Sequence, residues 1–169
     1  SGLKISREGS DYGFFRYVGK TGRVKDLTVS GSVKVTGSAE NVGGVVGTNY
    51  GILENCSFEG IVTGNTNVGG IVGENRADGI VLTCYNKGTI VGTNEVGGIC
   101  GMNQGTIYRC SFEGNVNGQN NVGGICGYNA SYGTANAKIK NCYVVGDAAG
   151  NSSVSGICGK NNASGDTVE

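Results

Sequence analysis

The chain has 169 residues with 34 glycines, no proline, tryptophan or histidine, and thirteen basic against thirteen acidic side chains. Val and Ile fill the intervals between glycines that keep no three-residue period, which excludes collagen, and an apolar content of 37% is too high for a disordered Gly/Ser/Asn linker. Formal neutrality removes the charge that draws a basic domain to nucleic acid or anionic membrane, and the absence of histidine excludes Ser-His-Asp and Cys-His catalysis and His-ligated zinc.

Residues 1–12 carry Lys4, Arg7, Glu8 and Asp11 and lack the apolar stretch of a signal peptide, so they read as an amino-terminal cap or leader. No apolar run in the chain is long enough to span a bilayer, and no membrane insertion is expected of this segment. Residues 13–169 are repeats. A degenerate copy, GRVKDLTVSG, starts at Gly22. Then come VGGVVG from Val42, VGGIVG from Val68, VGGICG from Val96 and Val122, and VSGICG from Val154, with starts separated by 26, 28, 26 and 32 residues. Each of the first four is followed by a second block: GILENCSFEG from Gly51, GIVLTCYNKG from Gly79, GTIYRCSFEG from Gly105 and AKIKNCYVVG from Ala137.

Such a period, with short Val/Ile runs between Gly and Asn and no helical phase, predicts an all-β solenoid of short strands and tight corners. Period-two alternation in the second block puts Cys56, Phe58, Gly60 and Val62 inward and Ser57, Glu59, Ile61 and Thr63 outward. Aligned positions repeat the inward set, with Asn86 as the exception in the Phe58 column. The VGGIVG block is apolar on both parities, so either its Gly-Gly pair makes a bulge or its outer side is covered. The expected fold is a parallel β-helix of about five and a half coils with three short strands per coil, one from VGGIVG, one around Cys56 and one around Val62. It is right-handed by the crossover rule and, with coils about 4.8 Å apart, roughly 25 Å tall.

The recurring Gly-Gly-apolar-apolar-Gly run from Gly43, Gly69, Gly97 and Gly123 resembles the GLUG-motif repeat family over residues 42 to 159, with Ser155 replacing a glycine in the last copy. The resemblance implies a β-solenoid module of large bacterial cell-surface proteins, among them adhesin-like proteins and immunoglobulin-A-cleaving metalloproteases. It implies an extracellular or cell-surface location, and it marks no catalytic residue.

Several columns have chemistry to weigh. Asn49, Asn75, Asn103, Asn129 and Asn161 each stand two residues after the last glycine of the motif, where stacked amides can bond from coil to coil while closing a turn. Cys56, Cys84, Cys110 and Cys142 form one thiol column and Cys100, Cys126 and Cys158 another. One thiol per coil along a line, with no CxxC pair, suits a packed core better than a tetrahedral metal site, and no metal or other cofactor is expected. Glu59, Lys87 and Glu113 form an outward row, the best candidate for lyase-like or hydrolase-like carboxylates, and otherwise alternating surface charge.

The corner after VGGIVG varies in length, taking nine positions from Gly47 to Cys56, eleven from Gly73 to Cys84, nine from Gly101 to Cys110 and fifteen from Gly127 to Cys142. The longest insertion, Tyr128 to Asn136, offers Tyr128, Asn129, Ser131 and Tyr132 for polar recognition. The leading functional expectation is a non-catalytic stalk, spacer or adhesin-like segment of a larger chain, since SGDTVE from Ser164 leads into another second block. Its expected partners are adjacent repeats of the same chain, with end-to-end self-association of the segment. The alternatives are a module binding a host glycan or protein through the Tyr128 to Asn136 loop, and an accessory domain of a surface metalloprotease.

Overall fold

One repeat has too few apolar residues to enclose a core by itself, and its backbone polar groups need partners from a neighbouring copy. The computed structural model, which describes residues 3–8, 10–133, 136–164 and 168, meets both needs by winding the chain into a parallel β-solenoid of about five turns with no helix among the described residues. Four strands, not the expected three, make each turn. In the second full coil they are Val46–Asn49, Ile52–Glu54, Ser57–Thr63 and Thr66–Gly69, after which Val72–Asn75 begins the next turn.

Equivalent strands stack into four parallel sheets. The broad sheet holds Leu3–Glu8, Thr28–Thr36, Ser57–Thr63, Tyr85–Val91, Ser111–Asn117 and Tyr143–Ala149. An amide sheet runs from Phe15–Val18 through Val46–Asn49 to Cys158–Asn162, and a short sheet of three-residue strands from Arg23–Lys25 through Ile52–Glu54 to Lys138–Lys140. The fourth, a glycine sheet, runs from Glu40–Gly43 to Ser152–Ser155. Register is kept along each stack: Val29, Phe58, Asn86, Phe112 and Val144 are successive partners in the broad sheet, and Val46, Val72, Cys100, Cys126 and Cys158 in the amide sheet. Val168 bridges Ile139 in parallel, extending the short-sheet column.

The sequence-derived strands around Cys56 and Val62 are one seven-residue strand, Ser57–Thr63. Gly60 does not end it. A Cβ there would lie 1.9 Å from the carbonyl oxygen of Gly31 in the coil below, and the backbone sits at φ 145°, so only glycine fits the close approach. Alternation along this strand is as expected: Phe58 and Val62 are buried, while Glu59 and Ile61 are exposed. Asn86 also points inward and is buried, its Nδ2 donating to the Gly98 carbonyl at 2.7 Å while its Oδ1 has no hydrogen-bond partner among the described residues.

Of the two alternatives for the VGGIVG block, the covered outer side is the one found, and the Gly-Gly pair leads into a corner between two strands, Glu40–Gly43 and Val46–Asn49, in place of a bulge within one. The chain turns at Gly44–Val45 between two sheets, and Gly44 lies against the Phe58 ring, where a Cβ would meet Cγ at 2.4 Å. Beyond the turn all four residues of Val46–Asn49 are buried, as are those of Val72–Asn75. Their outer side is covered by backbone of the glycine-sheet column lower in the stack: a Cβ on Gly73 would lie 2.3 Å from the Asn41 carbonyl carbon, and one on Gly47 2.6 Å from that of Asp11, beside the Tyr12–Val42 bridge. Those contacts are why the apolar pattern of this block shows no parity.

Leu3–Glu8, within the expected cap, occupy a broad-strand position paired with Thr28–Thr36; the Arg7 and Glu8 side chains lie outside the described residues. Asp11, at φ 60°, accepts hydrogen bonds from Thr48 Oγ1 at 2.5 Å, Tyr17 Oη at 2.7 Å and Asn41 Nδ2 at 3.0 Å. Burial raises its carboxyl, but those three bonds outweigh burial and hold it below the usual carboxylate range.

Candidate functional site

Tight corners require backbone donors and acceptors to find partners without a strand beside them, and the asparagine column meets that demand from the amide sheet. Asn49 Nδ2 donates to the Gly51 carbonyl at 3.1 Å while the Gly51 N–H donates back to Asn49 Oδ1 at 3.1 Å; Asn103 does the same with Gly105. The same amides bond between coils, Asn49 to Asn75 at 2.8 Å, Asn75 to Asn103 at 2.8 Å, Asn103 to Asn129 at 2.7 Å and Asn129 to Asn161 at 2.9 Å. Asn49, Asn75, Asn103 and Asn129 have no exposed surface. These amides are joined to one another and to the turns, and do not form a row presented to a ligand.

Further polar stacks line the glycine sheet and were not anticipated from sequence. Asn67 Nδ2 donates to Asn41 Oδ1 at 2.8 Å, Asn121 Nδ2 to Glu95 Oε1 at 3.0 Å, and Asn120 Nδ2 to Asn94 Oδ1 at 2.9 Å. Asn41, Asn67, Glu95 and Asn121 all have positive φ, between 51° and 56°. Asn tolerates that backbone better than most residues, so the Asn that recurs one position before Val of the motif, at Asn41, Asn67 and Asn121, was the available signal.

All seven cysteines are free; five are buried, and Cys142 and Cys158 are partly exposed. Their thiols donate to carbonyls two residues away, as from Cys56 to Glu54 at 3.4 Å and Cys126 to Tyr128 at 3.4 Å. Burial pushes the Cys110 and Cys126 thiols well above the ordinary value, so neither supplies a nucleophilic thiolate near neutrality. A thiol reagent added to native protein is expected to modify Cys142 and Cys158 first and the other five slowly, and denatured, unreduced protein should titrate close to all seven. Recovery of five or fewer thiols after denaturation would show instead that coils are cross-linked.

The outward row Glu59, Lys87, Glu113 lies on the open face of the broad sheet. Lys87 Nζ pairs with Glu113 Oε1 at 2.9 Å and Tyr85 Oη donates to Glu113 Oε2 at 2.8 Å. Lys87 and Tyr85 hold the Glu113 carboxyl below its usual range, the opposite of what a general acid near neutrality needs.

The insertion corner joins the amide and short sheets, and it carries a surface hollow of about 180 Å³ lined by Lys20, Tyr50, Arg76, Asp78, Gln104 and Tyr132. The structure brings only Tyr132 of the four proposed loop residues to it. Tyr128 stands on the amide sheet beneath Lys160, whose Nζ is 5.2 Å from its ring centroid, and its hydroxyl accepts from Asn162. Asn129 belongs to the buried amide ladder, and Ser131 Oγ accepts from the Ser164 N–H at 3.0 Å, tying the loop to the coil above. Thr134 and Ala135 of the proposed loop lie outside the described residues. Around the hollow, Arg76 pairs with Glu74 at 3.0 Å and lies 5.9 Å over the Tyr50 ring, and Lys20 pairs with Asp78 at 3.0 Å. Burial raises the Glu74 carboxyl, against the opposing pull of Arg76. Arg76 and Asp78 belong to the two-residue lengthening of the second corner, the sequence signal that could have led to them.

The GLUG motif matches residues 38–63, 64–91 and 118–149, together about half of the chain. Over 81 residues, 47% of this chain, the sequence is 37% identical to halomucin of Haloquadratum walsbyi, and the match spans about 1% of that protein's length. No solved structure matches.

Proposed function

Because the chain belongs to the GLUG-motif repeat family, we propose that it serves as a non-catalytic stacking module, a stalk or spacer within a much longer secreted or cell-surface protein. The observation that carries this reading is the unbroken register of four parallel ladders, in which the asparagine amides are used between coils. A protein that invests its recurrent polar residues in joining one copy to the next has a surface suited to extension. The likeness to a halomucin of which the match takes about 1% supports a place in a very long chain. Family resemblance supports the surface location.

Tandem duplication of residues 94–119 tests the stacking. The enlarged protein should melt at a higher temperature, and its maximum dimension in small-angle scattering should grow by about 4.8 Å, one ladder spacing. A duplication that lowers stability, or adds a separate flexible lobe, would remove the basis for the reading. An antiserum raised against the segment should label intact cells of the organism that makes it; label only after permeabilisation would refute the surface location.

A further inference from the structure

The hollow at the insertion corner arises from unequal corner lengths. The third corner, at nine positions, is short and carries Gln104, whereas the second and fourth, at eleven and fifteen, rise on either side with Arg76 and Asp78 on one and Tyr132 on the other. The short corner is therefore a floor between two walls. Residues from five successive coils line it, so no single repeat could build it.

Three features of the lining point to a ligand. Gln104 is 5% exposed, yet its side-chain amide has no hydrogen-bond partner among the described residues. The amide atoms themselves are open to solvent, so both a donor and an acceptor are available to a molecule in the hollow. Arg76 is fixed by Glu74 and by the Tyr50 face, and its Nε is buried without an acceptor among the described residues. Tyr132, 69% exposed, presents its ring at the rim.

We propose that this hollow binds a single neutral sugar ring. Vicinal hydroxyls, each both donor and acceptor, match the Gln104 amide and the exposed part of the Arg76 guanidinium, and the C–H face of a pyranose matches the tyrosine rings. Charge argues for a neutral ligand: Arg76 is offset by Glu74 and Lys20 by Asp78, leaving no net charge at the site. The volume of about 180 Å³ falls below the roughly 300 Å³ at the small end of drug-sized pockets, which suits one ring and is too small for a peptide or an oligosaccharide.

The test is a titration of the whole chain with glucose, galactose, mannose, N-acetylglucosamine and glucuronate, followed by amide chemical shifts. At least one neutral sugar should give saturable shifts around Gln104 with a dissociation constant on the order of 1–10 mM. Tyr132→Ala, at an exposed site, and Gln104→Met, close in shape, should each weaken that binding by about tenfold or more with the spectrum otherwise folded. The proposal is overturned if no neutral sugar saturates up to about 50 mM, if glucuronate alone binds, or if either variant binds as tightly as the parent chain.

Discussion

Phe112→Ala is expected to cost about 3–5 kcal/mol, lowering the melting temperature by roughly 6–20 °C for a chain of this size. Phe112 is among the largest fully buried side chains, and its ring fills the space left by Gly98, where a Cβ would lie 2.4 Å from the ring Cγ. A glycine in the backbone cannot move in to close the void, and neither can the neighbouring coils, which are held by the ladders on both sides. Glu113→Ala, one position along and facing outward, removes an exposed ion pair and should leave the melting temperature nearly unchanged. Thermal unfolding of the two variants in parallel checks the pair. Equal losses would mean that the two residues do not face opposite sides of the strand.

Asn103→Ala should cost about 3–4 kcal/mol although it removes no apolar surface. Its amide donates to the Gly105 carbonyl and to Asn129 Oδ1 and accepts from the Gly105 N–H and from Asn75 Nδ2, all in a position with no exposed surface. Alanine leaves backbone groups of a tight corner without partners and water has no access to replace them, so the cost is that of several unmet polar groups. Asn120→Ala is the control. It breaks bonds of similar length to Asn94 and Ser152 at a half-buried site, where solvent substitutes, and should cost about 1 kcal/mol or less. Urea unfolding of both variants gives the comparison; if Asn103→Ala costs no more than Asn120→Ala, the buried ladder is not what holds the coils together.

The features readable from sequence were those that repetition displays several times. Inward parity in the second block was visible because Cys56, Phe58 and Val62 recur as like residues in register, and the Asn49 column because its members keep a fixed distance from the last glycine of the motif. The strand count was not readable, for two physical reasons. Gly60 resembles a corner residue, yet glycine is required there by the closeness of the coil below, inside a continuous strand. Ile52–Glu54 has one inward residue, Leu53, and three positions are too few to display a period. The hollow was half readable: Tyr132 stood out in the longest insertion, but Tyr50, Arg76 and Gln104 come from other coils and share no column with it, so their meeting depends on how unequal corners stack. Tyr128 looked equivalent to Tyr132, but the amide sheet extends through residue 130 and takes Tyr128 away from the loop.

Stacking in parallel with every ladder bond directed along the solenoid axis has a mechanical consequence. A pull on the two ends of the stack loads the coils in series, and the outermost coil parts first because only one neighbour holds it. Each coil that lets go frees about 26 residues, or roughly 80–90 Å of extended chain, in place of the roughly 4.8 Å it spanned when folded. The remaining coils keep their own ladders and their own resistance. A stack built this way is expected to lengthen in discrete steps under tension and to rewind from its surviving coils when the load falls.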